Sequence, residues 1–144
     1  KMTNYERFYL LLAKPAGTAG DDIVISPLQA TDNAGAGSKA LTFTKLWHKV
    51  GTMTSTPTFT AVVLTTASSA LELVSVNSTD LVADTNPAVV ICEFLATSLD
   101  VDGGFDYVSV TYEGDDISNA LLIHSHWIGW GNKYAQNVPI TAQS

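Results

Sequence analysis

The sequence is short of charge, and shortest of positive charge. Only 15% of its 144 residues are charged, against about 25% in an average soluble domain. Seven Lys and Arg stand against fourteen Asp and Glu, for a formal net charge of −7, and no two basic residues adjoin. Phosphate contacts need clustered cations, so this balance argues against a nucleic-acid partner. Cysteine is nearly absent: Cys92 is alone, which excludes an intrachain disulfide. Its apolar setting, AVVICEFLA, is that of a small buried thiol. No apolar run approaches the roughly 20 residues of a membrane-spanning helix. The opening YERFYLLLA carries two charges and is too short for a signal peptide, so the expectation is a soluble chain made in the cytoplasm. No strained G-x-S-x-G elbow is present, and no motif supplies a cofactor.

What is present is alternation. Hydrophobic residues make up 46% of the chain. The segments ALTFTKLWHKV, TFTAVVLT, LELVSV, AVVICEFLA, YVSVTYE and ALLIHSHWIGW follow one another between Gly, Pro, Asn, Asp and Ser, rich in β-branched and aromatic residues. That rhythm predicts one all-β domain over 1–144, an antiparallel β-sandwich, jelly-roll-like, with long loops and little helix. Near the start, Thr3 and Glu6 have capping-box spacing ahead of a short helix. The aromatic pattern of Tyr5, Phe8 and Tyr9 before Pro15 favours a strand instead. KPAGTAGDD and QATDNAGAGSK read as loops. Residues 1–39 are therefore expected to be loop-rich, with a glycine-punctuated tip at Asn33, Gly35 and Gly37 able to reach neighbouring subunits.

Three clusters could carry chemistry. In DVDGGFDYVSVTYEGDD, Asp100, Asp102 and Asp106 resemble the front of a calcium loop, but the twelfth position, where a bidentate Glu belongs, holds Thr111. Asp102-Gly103-Gly104 and Glu113-Gly114-Asp115-Asp116 read more simply as two polar turns bracketing one strand, the first a hairpin turn. His124 and His126 stand two apart, on one face of a strand, a spacing that zinc sites use, yet no third ligand follows from the sequence. Ser125, His124 and Asp115 form a triad only on paper. The expectation is no catalytic site, no metal and no cofactor. Most informative is HWIGWGNKY, which sets Trp127, Trp130 and Tyr134 within nine residues. Such aromatics belong to a core strand that ends in a bulge, anchor interfaces or stack on sugars.

The order ALTFTKLWHKVGT, TPTFTAVV, VVICEFLATSLD and FDYVSVTYEGDDISNALLIHSHWIGWGNKY resembles the small all-β proteins that decorate or cement the heads of tailed bacteriophages. Phe105-Asp106-Tyr107-Val108-Ser109-Val110 and Ala120-Leu121-Leu122-Ile123 hold the places of that family's last strand pair, and the resemblance spans residues 40–134. It implies a non-enzymatic, trimeric capsid accessory protein without a cofactor, made in the host cytoplasm and carried on the virion surface against the major capsid protein. Trp127, Trp130, Tyr134, Asn33, Gly35 and Gly37 are then the candidate interface residues. The competing expectation is a carbohydrate- or receptor-binding β-module of a phage tail or fibre, with Trp127 and Trp130 as the stacking faces.

Overall fold

A computed structural model describes residue 2 and residues 4–16, 22–51, 58–68, 71–72, 87–115 and 123–132. Its strands are β1 (Tyr5–Lys14), β2 (Asp22–Ala30), β3 (Lys39–Ala40), β4 (Phe43–Val50), β5 (Thr60–Ser68), β6 (Leu71–Glu72), β7 (Ala88–Leu95), β8 (Tyr107–Asp115) and β9 (His124–Asn132). A single 3₁₀ turn, Ala96–Ser98, is the one helical element among the described residues. The five-stranded sheet has the order β5-β4-β7-β1-β9. In the four-stranded sheet, β2 pairs with β8 along one side and with the short β3 and β6 along the other. All pairings are antiparallel and the two sheets pack face to face, so the chain is a β-sandwich.

The first segment is a strand, and its position explains why. β1 lies between β7 and β9 and forms ladders on both sides, which a marginal ten-residue helix could not match. Alternation sends Phe8, Leu10 and Leu12 inward. They meet Val90, Cys92 and Phe94 of β7, Phe43 and Leu46 of β4, and Ile25, Leu41 and Leu99 across the sandwich. Aromatic rings lock the centre: Phe94 stacks on Phe8 at 5.4 Å between centroids, meets Phe43 edge-on at 5.9 Å, and tilts against Trp127 at 5.4 Å. Cys92 is fully buried here, and burial pushes its thiol up to about 12, leaving it inert as a nucleophile.

Several local expectations need correction. Residues 1–39 are not loop-rich throughout, since they supply β1 and β2, two of the longest strands. β2 hid behind Pro27, a residue that usually marks an edge. Pro27 turns its carbonyl, and with it the side lacking an N–H, toward β3, where Leu41 N–H donates to that carbonyl at 2.9 Å. On that side β6 pairs only at Val24 and Ile25 and β3 only at Leu28 and Gln29, so no ladder bond is lost. The Glu113-Gly114-Asp115 turn is likewise strand, because β2 is long enough to pair β8 out to Asp22 opposite Asp115. The Asp102-Gly103-Gly104 turn is real, with Gly104 at φ +84, but it is not a hairpin: it carries the chain from β7 in one sheet to β8 in the other.

Gly129 is tied to the entry of β1. A Cβ built there falls 2.6 Å from the Tyr5 ring, so the ring occupies the space a side chain would need. Gly129→Ala is expected to displace Tyr5 and cost about 1–3 kcal/mol, the range for overpacking, read as a lower urea midpoint. An unchanged midpoint would mean that Tyr5 is free to swing away.

His48 gives a pH prediction. Its register with Val90 and Thr60 places it inward on β4, its Nδ1 is buried without a hydrogen-bond partner among the described residues, and burial lowers its pKa. A depressed histidine favours the neutral ring in the fold. Its stabilising contribution is therefore complete above the unfolded value of about 6.5 and is lost as pH falls below that toward the folded value. The melting-temperature gap between wild type and His48→Gln should narrow or reverse on acidification; a gap independent of pH would contradict this.

Candidate functional site

The outward side of the five-stranded sheet is unusually apolar, and the cause lies in the strand sequences. Two-sided sheets with one wet face alternate apolar and polar residues, whereas strands covered on both faces read as continuous apolar runs. FYLLLA in β1, AVVICEFL in β7 and TAVVL in β5 are of the second kind. Once Phe8, Leu10 and Leu12 point inward, Leu11 and Ala13 must point out, and Ile91 and Val89 do so beside them on β7. Trp47 of β4 stands opposite Ile91 on one side and Ala61 of β5 on the other. β9 contributes Ile128 and Trp130. Val63, opposite Lys45, and Leu95, opposite Arg7, share this face, and exposure there is high: Val63 71%, Trp130 67%, Leu95 48% and Ile128 46%.

One polar row crosses the face. Glu93 on β7 receives a 2.9 Å hydrogen bond from Arg7 Nη1 on β1 and lies 3.6 Å from Lys45 Nζ on β4. The Lys45 ammonium also sits 4.5 Å from the centre of the Trp47 ring, which in turn tilts against Tyr9 at 6.4 Å. Two cations thus share one carboxylate in this row, which leaves one positive charge over. With strands about 4.8 Å apart and about 3.3 Å per residue along seven residues, the five strands span a projected area of about 500 Å². Its apolar part is divided by the Arg7–Glu93–Lys45 row and bordered by Lys49, His124 and His126, and it falls within the roughly 300–600 Å² of the largest patch on an ordinary monomer, a feature that is often functional. A cleft of about 180 Å³ opens at its margin, lined by Thr42, Phe43, Thr44, Lys45, Glu93, Leu95 and Ser98. It falls short of the roughly 300 Å³ at which small-molecule pockets begin.

The residues singled out by sequence are partly separated by the fold. Trp127 and Trp130 are three apart on one strand, hence on opposite faces. Trp127 packs on Phe8 and Phe94 in the core, and Trp130 alone points out, next to Arg7. The expectation that both indoles share a surface is therefore corrected by strand parity. Tyr134 lies outside the described residues. Asn33, Gly35 and Gly37 lie in a compact turn rather than an extended arm. Asp32 Oδ1 accepts the N–H groups of Ala34 and Ala36 at 2.9 Å, and the Thr31 hydroxyl and N–H both donate to the Ala36 carbonyl.

His124 and His126 do share the outward face, in register with Ala13 and Leu11. The adjoining strand thus offers aliphatic side chains where a further metal ligand would stand. Ser125 points the other way from His124, and Asp115 belongs to the other sheet, so the paper triad is taken apart. In the aspartate-rich turn, the Asp100 carboxylate bonds Lys39 and accepts the Gly103 N–H at 3.1 Å, while its backbone N–H donates to Gln29 Oε1 at 2.8 Å. Lys39 also covers the Phe105 ring at 4.0 Å. The Lys39 and Gly103 bonds hold the Asp100 carboxyl below the usual carboxylate range. This is a cross-sheet clasp: Asp100 spends its oxygens on fixing a turn.

A scan against models of protein families finds no match for this chain. Searches of curated proteins and of solved structures find none either.

Proposed function

We propose that this chain is a structural protein of a tailed-bacteriophage virion: a decoration or cement protein that binds the outside of the head, stabilises the shell and acts as a homotrimer. The observation that carries the reading is the apolar outward face of the five-stranded sheet. A shell is locked by burying area between neighbours, and the outward face of this larger sheet carries Leu11, Val63, Val89, Ile91, Ile128 and Trp130 beside its polar residues. The low charged fraction works the same way, since charge is what interface centres lack. No bond is made or broken in this role. The major capsid protein is the partner, and the chain travels from the host cytoplasm to the virion surface. A sugar-stacking module of a tail or fibre would want two indoles side by side, and strand parity leaves Trp130 to act without Trp127.

Quantitative mass spectrometry of virions purified from the source tests the proposal. The chain should be present in copy numbers comparable to the major head protein. Its presence in the lysate and absence from purified particles would overturn the reading.

A further inference from the structure

The two sides of the sandwich differ in charge as well as in polarity. Among the described residues, the outward face of the five-stranded sheet holds Arg7, Lys45 and Lys49 against the single carboxylate Glu93, a local excess of positive charge in a chain of net −7. The four-stranded sheet has the opposite balance. Its strands contain Lys39 against Asp22, Glu72, Glu113 and Asp115, and pairing brings the four acidic positions together: Asp22 is opposite Asp115, while Val24 has Glu72 on one side and Glu113 on the other.

From this asymmetry we infer that the molecule binds in one orientation, with the five-stranded sheet turned to its protein partner and the four-stranded sheet turned to solvent, and that the partner surface is apolar at its centre with carboxylates facing Arg7, Lys45 and Lys49. The inference rests on the head-binding proposal and adds which face is used and what chemistry receives it. A second copy docking face to face is disfavoured by the same charges, because it would set one positive excess against another. An acidic partner surface satisfies them and leaves the acidic sheet outside, where its charge keeps decorated particles apart in solution.

The test is rebinding of purified protein to source particles depleted of it, followed by sedimentation. Lys45→Glu/Lys49→Glu should weaken binding at least about ten-fold, since like-charge contacts across an interface are costly. Glu113→Lys/Asp115→Lys should bind within about two-fold of wild type, because rim or solvent charges contribute little. Wild-type affinity should fall as salt is raised, and this arm decides the matter should the doubly reversed chain fail to fold. Rebinding that ignores the reversed lysines, is lost in the Glu113/Asp115 variant, or is indifferent to salt overturns the inference and leaves the head-binding proposal standing. A wild type that does not rebind at any salt concentration overturns both.

Discussion

Phe94→Ala should be the most destabilising single truncation in this chain, lowering stability by about 3–5 kcal/mol, the range for removing a buried aromatic ring. Phe94 is 1% exposed and is the ring on which Phe8, Phe43 and Trp127 converge. Those partners come from β1, β4 and β9, so the loss loosens three ladders of one sheet at once. Set against the 5–15 kcal/mol that holds a typical domain together, such a loss consumes much of the total. Urea unfolding should show a sharply lower midpoint. Val63→Ala on the outward face should change it by no more than about 0.5 kcal/mol, as for surface sites. Equal effects from the two substitutions would mean that the core has been placed on the wrong side of the sheet.

Trp130→Ala should do the reverse, leaving folding almost untouched while weakening assembly by about 2 kcal/mol or more, the scale of an interface hot spot. The indole is 67% exposed on edge strand β9, in the row of Arg7 and Leu95, and so contributes little to the isolated fold. A large, rigid aromatic held that far into solvent is a costly thing to leave bare. Rebinding to depleted particles should show the variant released at concentrations where the wild type stays bound. A variant that associates as well as the wild type would remove Trp130 from the contact, and one that melts much earlier would show that the residue serves the fold.

Strand positions were legible wherever apolar and β-forming residues ran unbroken, as in β1, β5, β7 and β9. β2 was obscured by Pro27, whose place in an internal strand depends on the gap between β3 and β6, a feature of tertiary pairing. The fate of Glu113-Gly114-Asp115 was decided in the same way, by the length of a strand distant in sequence, whose Asp22 pairs with Asp115. In β4 the alternation of ALTFTKLWHKV breaks between Phe43 and Lys45, where the register against β5 shifts. Phe43 is thereby buried while Lys45 and Trp47 face out, although all three share one parity in sequence. The outward face itself left a signal: apolar residues at both parities of β1 and β7 require a cover on both sides. In AVVICEFLA that signal is Val89 and Ile91, which alternate with the buried Val90 and Cys92. Clustering of Trp127 with Trp130 was proximity in sequence, and a spacing of three on a strand turns it into separation.

Hydroxyl-radical footprinting of the chain, free at low concentration and bound in virions, tests most directly whether the outward face of the five-stranded sheet is covered in the working state. Trp130, Trp47 and Ile128 should be labelled in the free chain and strongly protected in the particle. Tyr112, 42% exposed on β8 of the other sheet, should be labelled equally in both. Equal labelling of Trp130, Trp47 and Ile128 in the two states, or protection of Tyr112 in their place, would contradict the account.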